Sequence, residues 1–155
     1  MKPINEETSD KKTEPEKWKT DPDLWPYRPK ERMMNPYEQQ LYELIRDTLT
    51  KSIVMTQVAM NQMLEIEGIP IRWHAKAYRA RIDKKSLDFL ICDKHTKPII
   101  AVELDGRSHE KWDRKLADEA KDKALTAAGV KIVRIKVEEL ATLTREELLK
   151  RLTKK

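Results

Sequence analysis

Apolar and polar positions alternate with two different periods along the chain, and these periods predict a set of helices and strands. Behind a capping Asn35, apolar residues recur every three to four positions and predict a helix over residues 36–49. This stripe consists of Tyr37, Leu41, Leu44, Ile45 and Leu49. A second helix, over residues 144–152, begins with a capping box formed by Thr144 and Glu147.

Short runs rich in β-branched and other apolar residues predict four strands. They span residues 52–58, 86–93, 99–105 and 131–137. The turn sequence KHTKP joins the second strand to the third and predicts a β-hairpin. Between the third and fourth strands we expect a helix over residues 109–128, capped by Ser108 and ending near Gly129.

The segment between the first two strands has a less regular pattern. The residues VAMNQMLEIEG predict a short helix that stops at Gly68, and residues 69–85 predict an irregular basic connection. The complete order, α-β-(α)-β-β-α-β-α, combines a hairpin with a helical crossover. It therefore predicts an α/β domain in which helices flank a mixed four-stranded sheet.

The first 35 residues differ in composition from the rest and are expected to form a flexible tail. Five of the eight prolines fall here, among many charged and few apolar residues, so the segment cannot bury enough apolar surface to fold alone. Its Trp18 and the stretch LWPYRP at 24–29 can dock on the body or on a protein partner, or belong to a plain leader. We accordingly divide the chain into a tail, 1–35, and one folded domain, 36–155.

The composition narrows the class of protein. With 155 residues the chain is long enough for one domain with a real core, and it has no apolar run near the roughly 20 residues of a membrane helix. No apolar segment of a secretory signal is found at the N-terminus, and the single cysteine, Cys92, cannot form an internal disulfide. We therefore expect an intracellular, cytoplasmic protein without a membrane partner.

The net charge of +5 resides in the folded part of the chain. Residues 1–31 hold seven Lys/Arg and eight Asp/Glu, so they sum to −1 and the remainder sums to +6. The predicted connection at 69–85 contributes Arg72, Lys76, Arg79, Arg81, Lys84 and Lys85, interleaved with Trp73, His74 and Tyr78. Such a segment suits nucleic acid, because cations hold phosphates and aromatic rings stack on bases. The alternative is a solvated basic loop.

Two predicted strands place carboxylates where buried residues are expected. Glu103 and Asp105 share one face at the end of the apolar run PIIAVELD, and Asp88 is followed by Phe89 in the neighbouring strand. If these strands pair as a hairpin, Asp88 and Glu103 lie close, and their repulsion favours a divalent cation between them. Oxygen ligands of this kind suit Mg²⁺ or Mn²⁺. The alternative is that both carboxylates face solvent at the strand ends.

A titratable side chain follows these carboxylates. His109 lies four residues after Asp105, at the start of the predicted helix over 109–128. It can serve as a general base that activates water. The alternative is a histidine that makes only a local hydrogen bond.

The spaced residues of this region resemble the core of the PD-(D/E)XK, or restriction-endonuclease-like, superfamily. The matching positions run from Leu87–Asp88–Phe89 through Ala101–Val102–Glu103–Leu104–Asp105–Gly106, His109, Asp118, Lys121–Asp122, Leu125 and Gly129 to Arg134. The pattern DFxxCD … ELDGxxH looks most like an uncharacterised bacterial domain family of that superfamily, and it is similar to very-short-patch-repair-type endonucleases. The resemblance covers about residues 36–137 and implies an αβββαβ core with a mixed four-stranded sheet.

The resemblance also implies Mg²⁺-dependent hydrolysis of phosphodiester bonds, with Mn²⁺ as an alternative cation. Asp88 and Glu103 match the two motif carboxylates and would bind the metal, with the Leu104 carbonyl as a third ligand. Glu38 matches a glutamate often found on the first helix of relatives. It is expected near the metal ligands, as is Asp118.

One position departs from the superfamily pattern, because Asp105 stands where a lysine is usual. Three interpretations remain open. Asp105 is a further metal ligand, or His109 is the base, as the repair-endonuclease resemblance suggests, or Lys121 from the following helix takes the role of the missing lysine.

These observations lead to three functional hypotheses. The first is a metal-dependent nuclease, with DNA as the expected substrate. The second, motivated by the missing lysine, is a catalytically silent nucleic-acid-binding module on the same fold. The third, motivated by the tail, is a protein-interaction module. A homodimer would enlarge the small contact surface of such a domain.

Overall fold

The computed structural model describes residues 27–69, 72–106 and 112–154, together with Asp23 and Trp25; side chains are described for all of these except 72, 73 and 112–118. The chain divides into two units, Met1–Met33 and Met34–Lys155. In the first unit, the rings of Trp25 and Tyr27 lie 6.2 Å apart at an interplanar angle of 47°. All helices and strands of the described residues belong to the second unit.

The described residues form the predicted helices and strands in the predicted order, with one further helix that was not predicted. These elements are α1 (Pro36–Thr48), β1 (Ile53–Ala59), α2 (Met60–Met63), α3 (Arg72–Ile82), β2 (Ser86–Cys92), β3 (Pro98–Asp105), α4 (Trp112–Ala127), β4 (Lys131–Lys136), a 3₁₀ turn (Val137–Glu139) and α5 (Arg145–Thr153). The four predicted strands are confirmed, as are the first and last helices. Both of these helices begin with a capping box, Asn35 with Glu38 and Thr144 with Glu147.

One prediction of secondary structure was wrong, because the supposed irregular connection at 69–85 contains helix α3. Its sequence, RWHAKAYRARI, is rich in alanine, arginine and lysine, which are good helix formers. The burial of Ile82 and the partial burial of Ala75, two turns earlier, attach one narrow side of the helix to the domain. The remaining positions described on α3 are exposed, so its sequence lacks the broad apolar stripe by which helices are recognised.

Two other predicted helices are modified. The short helix expected within residues 58–68 is a single turn, α2. The long helix expected at 109–128 is present as α4, and Gly129 follows it with a positive φ of 69°. Its predicted cap, Ser108, lies outside the described residues.

The four strands form one mixed sheet in the order β1-β2-β3-β4. The pairs β1/β2 and β2/β3 are antiparallel, whereas β3 and β4 are parallel. Helix α4 lies between β3 and β4 in the chain and supplies the crossover that a parallel pair requires. This confirms the predicted α/β class, a mixed four-stranded sheet flanked by helices.

Two apolar clusters cover the two faces of this sheet. The first packs α1 and α5 against β2, β3 and β4, through residues such as Leu41, Phe89, Val102 and Leu148. The second packs α2, α3 and α4 against the other face, through residues such as Met60, Leu90, Ala101 and Leu125. Since neighbouring residues of β2 and β3 enter different clusters, both faces of these strands are covered. Within the described residues, no helix is both long enough and apolar enough to cross a membrane.

Candidate active site

The hairpin of β2 and β3 brings Asp88 and Glu103 side by side, as its sequence predicts. Phe89 pairs with Val102 in the antiparallel ladder, so the residues one step further along are Asp88 and Glu103. The Oδ2 atom of Asp88 accepts a hydrogen bond of 2.8 Å from the backbone N–H of Leu104. This bond ties the Asp88 carboxylate to the strand that carries Glu103. We call Asp88 and Glu103 the carboxylate pair.

Glu103 is a nearly buried acid with one paired oxygen. Its Oε2 atom lies 3.0 Å from Nζ of Lys121 on α4, and the two side chains are each 13% exposed. Its Oε1 atom is buried and accepts no hydrogen bond from any of the described residues. Buried polar atoms are usually satisfied, so an oxygen in this state requires an explanation.

The burial of Glu103 changes its acidity. Burial raises the pKa of Glu103 above its ordinary value, and the neighbouring charge of Asp88 raises it further. The ammonium of Lys121 and, more weakly, the guanidinium of Arg134 lower this pKa, but they do not offset the loss of solvent. A cation bound at the carboxylate pair would lower the pKa of Glu103, because it favours the ionised form of the carboxyl group.

A second ion pair joins α4 to the sheet beside the first. Arg134 pairs with Glu103 in the parallel β3/β4 ladder, and its guanidinium binds the Asp122 carboxylate through two hydrogen bonds of 2.6 and 3.1 Å. Asp122 directly follows Lys121 in the chain. Lys121 on α4 thus contacts β3, and the next residue, Asp122, contacts β4. These two ion pairs hold the helix against the sheet.

A cavity of about 610 Å³ adjoins Asp88 of the carboxylate pair. Its lining includes Asp88 and Leu104 from the hairpin, Gly106 after β3, and Tyr37 and Glu38 from the first turn of α1. Glu38 was expected near the metal ligands, and it shares this cavity with Asp88. With Glu138 of the 3₁₀ turn, three acidic residues from different elements line the cavity, so a small ligand there would face carboxylates.

Glu38 is held in place from two sides. Its Oε2 atom accepts a 2.7 Å hydrogen bond from the backbone N–H of Asn35, and its Oε1 atom accepts one of 3.5 Å from the side-chain amide of Gln57 on β1. Sequence reasoning missed Gln57, since a glutamine within a strand carries no chemical signal by itself. Only the register of β1 against β2 reveals its position.

The other predicted site residues are distributed unevenly. Asp105 ends β3 and is exposed, unlike Glu103 two residues before it. His109 lies outside the described residues, and the side chain of Asp118 on α4 is likewise not described. Among the residues that the structure describes, no group of three or more His, Cys, Asp or Glu side chains is arranged to hold a metal ion. A cation would therefore need the carboxylate pair together with backbone or water oxygens.

The carboxylate pair nevertheless fits a divalent cation on chemical grounds. Mg²⁺ is bound in proteins by one or two carboxylates while it keeps several waters. The Oε1 atom of Glu103 is a buried acceptor without a described hydrogen-bond donor, and a cation would complete it. Two adjacent carboxylates, one of them with a raised pKa, are likewise stabilised by a positive ion.

The predicted basic segment forms a surface on and after α3. We call Lys76, Arg79, Arg81, Lys84 and Lys85 the basic surface. The first four of these residues are exposed, and Lys85 is half-buried. Tyr78 is also exposed, with the Arg81 guanidinium 4.5 Å from the centre of its ring. The side chain of Arg72, which was predicted with this group, is not among those described.

Comparison with known proteins assigns the chain to a family but indicates no activity, substrate or cofactor. The chain is 31% identical over 102 residues to a protein of Haemophilus influenzae described as "Uncharacterized protein"; the match covers 63% of this chain and 50% of that relative. The chain thus spans about half the length of this relative. No solved structure gave a significant match. A family model described as "Protein of unknown function (DUF2726)" matches residues 30–151, and the chain therefore belongs to that family.

Proposed function

We propose that this chain is a metal-dependent nuclease that hydrolyses phosphodiester bonds, with DNA as the expected substrate. The observation that carries the proposal is the state of Glu103. One of its carboxylate oxygens lies 3.0 Å from Lys121 Nζ, while the other is buried without a hydrogen bond from the described residues. A buried carboxylate beside Asp88, with one oxygen that accepts no hydrogen bond from the described residues, is typical of a ligand-binding site rather than of a purely structural residue.

The ligand we propose for the carboxylate pair is Mg²⁺ or Mn²⁺. Asp88 and Glu103 would hold the ion, and the Leu104 carbonyl is the third ligand that we expect. When bound, such a cation lowers the pKa of a coordinated water and stabilises negative charge on a phosphate. The hydrogen bond from the Leu104 N–H to Asp88 orients that carboxylate before any ligand arrives.

Lys121 is the residue we favour for the role left open by Asp105. An ammonium beside Glu103 can hold that carboxylate ionised and can neutralise a phosphate that approaches the pair. Asp105 is exposed at the strand end, so its carboxylate lacks the partly desolvated setting of Lys121. In this proposal the lysine comes from the crossover helix rather than from strand β3.

The basic surface is proposed to hold the substrate. Its cations lie on α3 and the turn before β2, and Lys85 stands three residues before Asp88. Attraction of phosphates by such residues provides affinity without sequence preference. The exposed ring of Tyr78 offers a stacking surface for an unpaired base.

A second candidate function is a catalytically silent nucleic-acid-binding module. It is favoured by the absence, among the described residues, of a group of three acidic or imidazole ligands. In this case the Lys121–Glu103 contact is an ion pair that fastens α4 to β3. A protein partner of the tail and a homodimer both stay predictions.

The proposal is tested with plasmid and single-stranded DNA in Mg²⁺, Mn²⁺ or EDTA. We expect metal-dependent cutting by the wild type and at least about a 100-fold loss of rate in Glu103→Gln. The matched control is Glu119→Gln on α4, whose carboxylate pairs with Lys123 on an exposed surface. Cutting by Glu103→Gln at the wild-type rate would refute the proposed site. Salt-sensitive binding without cutting in any metal would support the silent module instead.

A further inference from the structure

Gln57 adopts a backbone conformation that is rare for its residue type. Its φ is 52°, in the left-handed region that favours glycine, although it lies within strand β1. Lys84 and Thr96 also have a positive φ among the described residues, but both lie in turns. Such strain persists where the surrounding structure enforces it, and it is concentrated at functional sites.

The position of Gln57 connects this strain to the carboxylate pair. Its neighbours Thr56 and Val58 pair with Phe89 and Leu87 on β2, so Gln57 lies opposite Asp88. Its side chain is exposed, and its amide N–H donates to Oε1 of Glu38. Gln57 thus lies across the ladder from Asp88 and also contacts Glu38, another acidic residue that lines the cavity beside Asp88.

A change of side in strand β1 accompanies the unusual backbone, and the paired residues Leu87 and Ile91 of β2 show the same change. Val54 packs against the cluster beneath α1 and α5, whereas Val58 packs against the cluster beneath α2, α3 and α4. Residues four apart in a regular strand would share a face, so the strand changes its side at this point. Glycine would allow this change with less strain, and the presence of glutamine therefore points to a role for the side chain.

We propose that Gln57 is a positioning residue of the metal site, which acts through Glu38. Its amide keeps the Glu38 carboxylate directed into the cavity beside Asp88, where that carboxylate accepts hydrogen bonds from water around the cation. Partners of this kind commonly change metal affinity by about 10- to 100-fold. The inference rests on the proposed function, because it assumes a cation at the carboxylate pair.

The test combines Gln57→Gly with a matched control, Thr96→Gly, and measures melting temperature and Mn²⁺ affinity by calorimetric titration. Both substitutions relieve a positive φ, so each should raise the melting temperature by roughly 2–4 °C. Only Gln57→Gly should weaken Mn²⁺ binding, by about tenfold. Thr96 lies in the β2–β3 turn, at the opposite end of the hairpin from Glu103.

A double-mutant cycle tests the route through Glu38. Glu38→Gln keeps a residue that capping boxes accept, and it should weaken Mn²⁺ binding as much as Gln57→Gly does. The double variant should lose no more affinity than either single variant, because both remove the same support. Additive losses would show that Gln57 acts independently of Glu38, and would refute the proposal.

The outcomes separate this inference from the proposed function. If the wild type binds Mn²⁺ and Gln57→Gly binds it equally well, only the role of Gln57 is lost, and the strain serves packing alone. A lower melting temperature of Gln57→Gly would likewise contradict the strain argument. If the wild type does not bind Mn²⁺ at all, the metal-dependent function fails, and this inference fails with it.

Discussion

The Nζ atom of Lys121 lies 3.0 Å from Oε2 of Glu103, and this contact joins the crossover helix to the strand that precedes it. Both side chains are largely withdrawn from solvent, each with 13% exposure. Asp105, where the resembled superfamily has lysine, is exposed instead. The positive charge beside the carboxylate pair therefore comes from Lys121 on helix α4 and not from strand β3.

Removal of the Lys121 ammonium should destabilise the protein. Lys121→Met keeps much of the apolar stem but leaves Glu103 without its cation, and we expect a loss of about 1–3 kcal/mol in the free energy of unfolding. Lys123→Met, two residues along the same helix, removes an exposed ion pair with Glu119 and should change stability by less than about 0.5 kcal/mol. Urea denaturation of both variants at neutral pH measures the difference. Equal stabilities would show that the Lys121 contact is energetically unimportant.

The stability of the protein should depend on pH through Glu103. Burial raises the folded-state pKa of Glu103 above the ordinary value of 4.5. Its contribution is therefore fully present below about pH 4.5 and is lost as the pH rises through the folded-state pKa. Glu103→Gln does not titrate, so its stability relative to the wild type should increase between pH 4 and neutrality.

An oppositely shifted acid provides the control for this pH dependence. The backbone N–H of Thr144 donates to Glu147 and lowers the pKa of that carboxyl. The contribution of Glu147 is present above its unfolded pKa and is lost as the pH falls through its folded pKa. Relative to the wild type, Glu147→Gln should therefore lose stability as the pH rises toward about 4.5, below the range in which Glu103→Gln gains it. Urea unfolding curves at a series of pH values measure both, and changes of the same sign would contradict the account.

The basic surface should contribute to DNA affinity through phosphate contacts. Arg79→Ala and Lys76→Ala should each weaken binding to many DNA sequences alike and reduce the slope of log K against log salt by about one. Lys150→Ala removes an exposed cation of α5 and serves as the control. Fluorescence anisotropy at several salt concentrations, in EDTA, measures the slopes without cleavage. Unchanged slopes in the α3 variants would place the nucleic acid elsewhere.

Much of the fold could be predicted from sequence because its periodic signals are local. The cap at Asn35, the capping box at Thr144 and the apolar runs of the strands lie within short segments, and the predicted order of elements was based on them. Helix α3 was missed for a physical reason. Helix α3 buries only the narrow side that carries Ala75 and Ile82, so its sequence has no hydrophobic stripe. Helix propensity was the one remaining sequence signal for this helix.

Only the part of the site that depends on strand pairing could be predicted from the sequence. The hairpin predicted from the sequence was enough to place Asp88 beside Glu103. The sequence left Asp105, His109 and Lys121 as alternatives, because the rotation of a crossover helix about its axis depends on long-range packing. The backbone strain at Gln57 was not visible either, since its φ depends on how β1 passes between the two clusters.

The rate of DNA cleavage by Lys121→Met, beside the wild type and Lys123→Met, tests the central claim most directly. The three proteins would be incubated with supercoiled plasmid and with single-stranded DNA, in Mg²⁺, Mn²⁺ or EDTA, at a temperature at which all remain folded. We predict metal-dependent cutting by the wild type and by Lys123→Met, and about a 100-fold slower rate for Lys121→Met. No cutting by the wild type in either metal, or equal rates for Lys121→Met and Lys123→Met, would contradict the account.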